Sequence, residues 1–465
     1  MVNCLKRQFG KKPIPAAALL LPILVSAFGF WLAGPLVSEE AARFFVLDNG
    51  LKVFLLEKRN VPLVNVAAAV NLGSKDETPE TSGSVHLLEH YILFRGTETR
   101  SGDEISRDIR RQGAYFNAHT GQDLAFFEIS VPAAGADFAL SNQKDILFHL
   151  KITREELEME KEIVLEEFRQ LEDDPFKYAA SLAYQNLFRG HPYANPLIGE
   201  PESIKNMTAD TLISLYRRYF VPPNCALAVV GDFSLQDMEA KVRRVFGEVR
   251  GEAPPPPDFA PAKPPDKAAD IEIEMDVQKA YLVIAAPAPD FNSPEQYAMD
   301  VLTEILGRGV HPLLYSALNQ GPRRLVETLR MAYQSHRYAG AVLAFLTLEP
   351  KNLGAAKREA VNYLRRTREE NFSPQDIPGE AQMFAFDHLG SAKNELKYNA
   401  YQAQERGLGM AISLAQFMIL REGQAESRYL ESIDRVKSGD LRGVAGKYLG
   451  RVDYVIVSII PKKTK

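Results

Sequence analysis

A proline-rich segment near the middle of the chain limits the folds open to it. Residues 251–268 read GEAPPPPDFAPAKPPDKA. Proline lacks a backbone N–H and has a fixed φ, so this density favours extended backbone and excludes a helix or a central strand. We therefore interpret the segment as a linker between two halves of similar size. A chain of 465 residues is in any case too long for one ordinary core.

The two halves end in a similar way. Each closes with a helix-like stretch, then Tyr219 or Tyr448, and then an apolar run at residues 225–231 or 453–458. Similar sequence at a fixed offset is typical of a duplicated unit. We predict two related domains, residues 39–250 and 269–465.

Local patterns in the first half mix strands and helices. Hairpins are predicted for residues 44–58, about an Asp-Asn-Gly turn, and for residues 114–131. A strand is predicted for residues 64–71, and helices for 84–94, 101–111 and 153–170, the last with Thr153 as N-cap and Glu156 in a capping box. No strict βαβ rhythm is present, so the class is α+β. We expect each domain to be a mostly antiparallel sheet covered by helices.

The N-terminal segment has the charge pattern of a targeting signal. Basic residues precede an uncharged stretch over residues 13–38, and no acidic residue occurs before Glu39. This pattern predicts an export signal or a membrane anchor at residues 1–38, with everything after Glu39 outside the cytoplasm. Small residues at 25–27 suit cleavage, yet the apolar run is long enough to span a bilayer, so both readings stay open.

Composition excludes several functional classes. The formal net charge is -5 and no basic tract with interleaved aromatics occurs in the body of the chain, which argues against a nucleic-acid partner. The chain has two cysteines, Cys4 and Cys225, so a disulfide framework and a cysteine-based zinc site are both excluded. Cys225 begins an apolar run and is predicted to be a buried strand residue.

The segment His86–His90 reads HLLEH. Two histidines four residues apart on a helix present both imidazoles on one face, as two ligands of one tetrahedral Zn²⁺ require. Glu89 leans over the same face, where a carboxylate can take the proton of a zinc-activated water. The alternative reading is an amphipathic helix that happens to carry two surface histidines and a glutamate.

A catalytic zinc needs a third protein ligand, commonly from another element. The helix predicted over residues 153–170 carries Glu160 and Glu167, which lie nearly two turns apart on one face. One of them can bind the metal while the other orients a ligand. Seven glutamates in this helix also fit an ordinary solvated face, and composition alone does not select Glu167 over Glu166.

Together these residues make the chain resemble the M16 metallopeptidases, the family of pitrilysin, insulysin and the mitochondrial processing peptidase. That family carries His-x-x-Glu-His, a glutamate 77 positions after the second histidine, and another glutamate seven positions earlier; these positions hold Glu167 and Glu160 here. The segments 82–97, 113–120, 191–199 and 219–231 also resemble the family. The similarity is strong over residues 44–249 and continues more weakly through the second half, which lacks the motif.

The resemblance implies a role for each matching residue. By it, the zinc ligands are His86, His90 and Glu167, the general base is Glu89, the supporting glutamate is Glu160, and the substrate strand lies near Asn117 and Ala118, where a peptide would pair by β-augmentation. His119 is expected to have a structural or peripheral role.

One departure from the family concerns an Arg and a Tyr, seven apart, with which a zinc-free domain grips the substrate. Their expected positions hold Gln320 and Glu327, while Arg324 and Tyr333 lie nearby at the wrong interval. A closed chamber of the family uses four such domains and this chain holds two, so the resemblance implies a dimer. A heterodimer with a zinc-free homologous subunit fits the missing Arg and Tyr. The expected function is a zinc endopeptidase acting on peptides; the alternatives are a non-catalytic scaffold of the same fold and a metal carrier.

Overall fold

The computed structural model describes residues 41–257, 259–260, 262–263, 267–320, 323–421, 429–450 and 453–462. The predicted signal or anchor over residues 1–38 lies outside these ranges, as does Cys4. In the part of the chain that is described, no helix is long and apolar enough to cross a membrane. The described residues of the proline-rich segment form neither helix nor strand.

The strands and helices follow one another in a mixed order. The strands are β1 (Ala42–Val46), β2 (Lys52–Glu57), β3 (Leu63–Val70), β4 (Tyr115–Thr120), β5 (Ala125–Pro132), β6 (Cys225–Gly231), β7 (Ala269–Met275), β8 (Ala280–Ala288), β9 (Thr328–Ser335), β10 (Gly340–Leu348) and β11 (Val455–Pro461). The helices of the first half are α1 (Ser84–Phe94), α2 (Gly102–Arg111), α3 (Ala136–Phe148), α4 (Arg154–Asp173), α5 (Pro175–Leu187), α6 (Pro201–Asn206), α7 (Ala209–Tyr219) and α8 (Leu235–Phe246). Those of the second half are α9 (Gln296–Gly307), α10 (Leu313–Leu318), α11 (Leu353–Arg366), α12 (His388–Glu405), α13 (Gly407–Leu420), α14 (Tyr429–Arg435) and α15 (Ser438–Val444).

The strands form two sheets whose topologies match except that the first sheet has one additional edge strand, β1. The first has the order β1-β2-β6-β3-β5-β4 and the second β7-β11-β8-β10-β9. In each sheet the strand that closes the half pairs in parallel with one neighbour, β6 with β2 and β11 with β7, and every other pairing is antiparallel. The predicted α+β class, with mostly antiparallel sheets covered by helices, is confirmed.

Most of the local predictions in the first half are also confirmed. Gly50 has φ 87 in the turn of the first hairpin, the conformation that an Asp-Asn-Gly turn requires. Cys225 is buried in β6. Thr153 caps α4 by accepting from the backbone N–H of Glu156. The predicted capping box is wrong, because the Glu156 carboxylate accepts from the Thr153 hydroxyl at 2.7 Å instead of from the backbone.

Each half supplies a helix that covers the sheet of the other half. Helix α13 packs on β3 and β6 of the first sheet, while α5 packs on β8 and β11 of the second. Small side chains on β3 and β6 let α13 approach closely, and this face buries Ala67, Ala69, Ala226 and Ala228 against it. The two halves therefore share apolar cores and are expected to unfold together.

A buried polar group also joins the halves. The Tyr193 hydroxyl donates to Asp123 Oδ1 at 2.7 Å and accepts from the backbone N–H of Tyr338, in the β9–β10 turn, at 3.1 Å. The backbone N–H of Arg337 donates to Asp123 Oδ2 at 2.8 Å. The turn of the second sheet is thus held by the loop that joins β4 to β5 in the first.

Tyr193→Phe is expected to lower the free energy of unfolding by about 1.5–3 kcal/mol, because it removes a hydrogen bond to the buried Asp123 side chain and leaves Oδ1 without that donor. Thermal or urea unfolding measures the loss. Tyr398→Phe is the matched control, since Tyr398 is 62% exposed and its hydroxyl loss should change stability by less than about 0.5 kcal/mol. Equal stability of the two variants would show that the Asp123 contact does not stabilise the domain junction.

Candidate metal centre

The first backbone N–H groups of helix α1 are capped by the side chain of Glu77, which precedes the helix. Its N-cap, Gly83, has φ 89 and offers no side chain, so the buried Glu77 carboxylate accepts from the backbone N–H of Gly83 at 2.9 Å and of Val85 at 2.8 Å. Burial raises the pKa of Glu77 to about 8, even though these hydrogen bonds act in the opposite direction. A Cβ at Gly199 would meet Gly83 Cα at 2.3 Å, so glycine there lets the neighbouring loop lie against this end of the helix.

Helices α1 and α4 bring together the three residues predicted to bind a metal. His86 and His90 lie one turn apart on α1 with ring centroids 4.8 Å apart. The Glu167 Oε2 atom on α4 lies 3.7 Å from His86 Nε2 and 3.4 Å from His90 Nε2. One donor atom from each residue lies within 4.8 Å of the others. Donors around a tetrahedral Zn²⁺ with bonds of about 2.0–2.1 Å lie roughly 3.3 Å apart, which is close to the two distances from Glu167. Two imidazoles and one carboxylate are also donor types that Zn²⁺ binds.

Glu160 supports the site from behind. Its side chain is fully buried, and its Oε2 lies 3.0 Å from His90 Nδ1, the ring nitrogen on the far side from Glu167. Its Oε1 accepts from Arg95 Nε at 2.5 Å. A carboxylate in this place fixes the tautomer and the orientation of the imidazole. Arg95 follows the end of α1, and nothing in its local sequence indicates this pairing.

The two histidines differ in how their second ring nitrogens are satisfied. While His90 Nδ1 has Glu160 as its partner, His86 Nδ1 is buried and has no hydrogen-bond partner within the described ranges. Burial lowers the pKa of His86, and repulsion from His90 lowers it further. His86 is therefore neutral, as a metal ligand must be.

The pKa of His90 is shifted in the direction opposite to that of His86. Burial opposes protonation there, but hydrogen bonds with Glu160 and Glu167 outweigh it and raise the pKa of His90 to about 9. Burial would raise the pKa of Glu167, yet the hydrogen bond with His90 outweighs it and lowers the pKa, so this carboxylate is ionised. A cation that binds the three donors must displace the His90 proton.

Zinc binding to the metal-free chain is therefore expected to release about one proton at pH 7, which is below the His90 pKa of about 9. As the pH rises toward that pKa, the apparent affinity should increase about tenfold per unit, and as the pH falls it should decrease by the same factor. Calorimetric titration in two buffers with different ionisation enthalpies measures the proton count. Glu160→Gln should lower the count, and zero release by the unmodified chain would contradict the prediction.

Glu89 lies on α1 outside the group of three donors. Its side chain is half-buried, and its Oε2 accepts from Thr120 Oγ1, at the end of β4, at 2.6 Å. This hydrogen bond directs the carboxylate toward β4. Thr120 was not predicted to have a role, because only the packing of α1 on β4 brings it to Glu89.

The predicted substrate strand lies at an edge of the first sheet. Asn117 and Ala118 are in the middle of β4, which pairs with β5 on one side and has no strand neighbour on the other among the described residues. Ala118 is buried toward α1 and the core, whereas Asn117 is half-buried on the opposite face. The free edge of β4 thus lies beside the helix that carries His86 and His90.

The second half does not present the Arg and Tyr expected to grip a substrate at Gln320 and Glu327. Gln320 and Glu327 are exposed, and Glu327 forms an ion pair with Lys279. Tyr333 is 4% exposed and donates its hydroxyl to the Pro289 carbonyl at 2.7 Å. Because its polar group is buried and engaged, Tyr333 is not placed to grip a substrate.

Comparison with known families matches both halves of the chain. Residues 52–201 match the family described as Insulinase (Peptidase family M16), and residues 206–382 match the domain described as Peptidase M16 inactive domain. The three donor residues, Glu89 and Glu160 all fall within the first match.

Curated relatives carry a protease name. The chain is 25% identical over 422 residues to an uncharacterized zinc protease of Mycobacterium tuberculosis, covering 88% of this chain and 91% of that protein. It is 26% identical over 278 residues to an uncharacterized zinc protease of Bacillus subtilis, covering 59% of this chain and 66% of that protein.

Solved structures share the fold. A protease from Helicobacter pylori superposes with a TM-score of 0.81 at 23% identity, covering 90% of this chain and 99% of that chain. A peptidase M16 inactive domain from Pseudomonas fluorescens superposes with a TM-score of 0.77 at 20% identity, covering 91% and 99%. At these identities the likeness shows the arrangement of helices and strands.

Proposed function

The chain belongs to peptidase family M16, and on that basis we propose that it is a zinc-dependent endopeptidase that hydrolyses peptides or unfolded segments. The observation that carries the proposal is the grouping of His86, His90 and Glu167, whose donor atoms lie within 4.8 Å of one another. Three protein donors leave a fourth position for water or substrate, which is the arrangement of a catalytic rather than a structural zinc site.

His86, His90 and Glu167 would hold the ion. When bound, zinc supplies Lewis-acid chemistry, which acidifies a water molecule and polarises a carbonyl. Glu160 holds His90 so that Nε2 faces the site, and Arg95 pairs with Glu160 and fixes the position of its carboxylate. These contacts preorganise the donors before any substrate arrives.

Glu89 is the proposed general base. Because Thr120 holds its Oε2, the carboxylate is positioned to take a proton from the water that attacks the peptide carbonyl carbon. When the carbon–nitrogen bond breaks, the same carboxyl can return that proton to the leaving amine nitrogen. Glu89 would thus carry out both proton transfers of the hydrolysis.

The edge of β4 is the proposed docking place for the substrate. A peptide that adds to the free edge near Asn117 and Ala118 would satisfy its backbone groups by strand pairing, which is largely independent of its sequence. Strand pairing also requires an extended segment, which explains why peptides and unfolded chains are the proposed substrates.

A second subunit is proposed to complete the site. Large apolar side chains are exposed on the elements around the donors: Phe94 at the end of α1, Tyr115 on β4 and Met159 on α4 are 52%, 50% and 42% exposed. Such a rim suits a partner surface. Tyr333 is engaged, and Gln320 and Glu327 are not the expected Arg and Tyr. We therefore propose a dimer in which a zinc-free homologous subunit is the partner.

We also propose that the protein acts outside the cytoplasm, because of the basic and then apolar pattern of its N-terminal segment.

The proposal is tested by assaying the purified full chain on a mixture of quenched fluorescent peptides. Activity that a chelator removes and that Zn²⁺ restores is expected, and it should increase when a zinc-free homologue is added. The alternative function, a non-catalytic scaffold, predicts no cleavage in either case. Stoichiometric zinc without cleavage would instead favour a metal carrier.

A further inference from the structure

The edge hairpin of the first sheet has a polar face that the proposed mechanism does not use. Tyr115, Asn117 and His119 alternate with Ala118 and Thr120 along β4, so they point away from helix α1. Asn117 lies directly opposite Glu128 on β5. These four residues, Tyr115, Asn117, His119 and Glu128, form what we call the outer cluster.

Glu128 holds the outer cluster together. It is 2% exposed, and its Oε1 is 3.2 Å from His119 Nε2 and 3.4 Å from the Tyr115 hydroxyl, which donates to it. Its Oε2 is buried and has no hydrogen-bond partner in the part of the chain that is described. A buried carboxylate with an unmet oxygen strongly favours a cationic neighbour.

His119 is the member of the pair that a ligand can reach. Its side chain is 21% exposed, against 3% for Glu128. Burial opposes protonation of the ring, but the hydrogen bond and charge of Glu128 outweigh it and raise the pKa of His119. Because Nε2 is engaged by Glu128, a protonated imidazole still has Nδ1–H with which to donate to a ligand.

A peptide added to the free edge of β4 would bring its own side chains to this donor. In a paired strand, alternate side chains project to the same face as the neighbouring residues and lie about 4.5–5.5 Å from them. Every second substrate side chain would therefore lie beside Tyr115, Asn117 or His119. The other substrate side chains would project to the opposite face, toward Ala118 and the metal centre.

We propose that His119, held by Glu128, forms a subsite that selects a substrate side chain able to accept a hydrogen bond, above all the carboxylate of Asp or Glu. This inference rests on the proposed peptidase function, because it takes the edge of β4 as the substrate strand. It goes further by naming the chemistry of one substrate residue. A site built to donate a hydrogen bond discriminates strongly against a side chain that cannot accept one.

Binding tests the subsite without requiring turnover. The zinc-loaded full chain carrying Glu89→Gln is titrated with fluorescent, alanine-rich peptides in which Glu, Gln, Lys or Leu occupies each central position in turn. We expect the Glu peptide to bind about tenfold tighter than the Leu peptide at one position, with Gln between them. Adding His119→Phe should abolish that preference, and adding Glu128→Gln should weaken it.

His149→Phe is the matched control, because His149 lies in the same half, at the C-terminal end of α3, and forms no contact with the outer cluster among the described residues. The chain carrying Glu89→Gln and His149→Phe should prefer the Glu peptide to the same extent as the chain carrying Glu89→Gln alone. Four results would each overturn the subsite: equal binding of Glu and Leu peptides, a preference for Lys, a preference for Glu that survives His119→Phe, and no peptide binding.

The same peptides are given to the chain with Glu89 intact. Cleavage without a preference for Glu would overturn the subsite and leave the peptidase function standing. Selective binding without cleavage, both alone and with the zinc-free homologue added, would overturn the peptidase function and leave the subsite standing.

Discussion

Glu89→Gln is expected to reduce peptide hydrolysis by about 10²–10⁴-fold while the chain keeps its zinc. The amide has nearly the same shape as the carboxylate and can still accept from the Thr120 hydroxyl, so α1 and β4 should stay packed as they are. It cannot take the proton of the attacking water. Turnover of a fluorescent peptide and metal analysis of the same preparation measure the two effects.

Thr120→Val is an informative companion to that substitution. It removes the hydroxyl that holds Glu89 Oε2 but leaves the carboxylate in place, so a smaller loss of turnover is expected than for Glu89→Gln. Retained turnover in Glu89→Gln would eliminate Glu89 as the base. Loss of zinc from Glu89→Gln would identify it as a metal ligand instead.

Glu167→Gln is expected to remove most of the zinc, with an affinity loss greater than about 100-fold, because it takes away the only carboxylate in the group of three donors. Glu160→Gln should weaken zinc binding by about 10–100-fold, since that residue acts on the metal only through His90. Competition with a zinc-binding dye measures both affinities.

Glu166→Gln is the matched control for Glu167→Gln. Glu166 is the neighbouring glutamate of α4, but its side chain is 57% exposed and pairs with Arg169 on the helix surface. Its substitution should leave the zinc affinity unchanged. If Glu166→Gln and Glu167→Gln lost zinc equally, the assignment of the third donor to Glu167 would have to be given up.

Local sequence was enough to predict the helix that carries the motif. The predicted range 84–94 coincides with α1, and both hairpins lie where their turn residues indicated. A helix and a hairpin depend on hydrogen bonds and side-chain spacing within about ten residues. The spacing of apolar residues in the sequence therefore predicts them. The placement of two imidazoles on one helical face belongs to the same class of prediction.

The choice of the third donor depended on more than local pattern. Composition left Glu166 and Glu167 equivalent, and only the family spacing pointed to Glu167. The structure shows the physical reason, because consecutive residues on a helix point about 100° apart, and the packing of α4 against α1 turns Glu167 inward and Glu166 toward solvent.

The sequence by itself indicated the α+β class, helix α1 and the residue types able to hold a metal, because these follow from short-range periodicity and from donor chemistry. Only the tertiary structure decided which groups complete the site. Arg95 pairs with Glu160 and Thr120 holds Glu89, and neither contact leaves a periodic signal. The first joins two helices and the second joins a helix to a strand, so both form only when these elements pack together, and the cost of burying such polar groups is met at that stage.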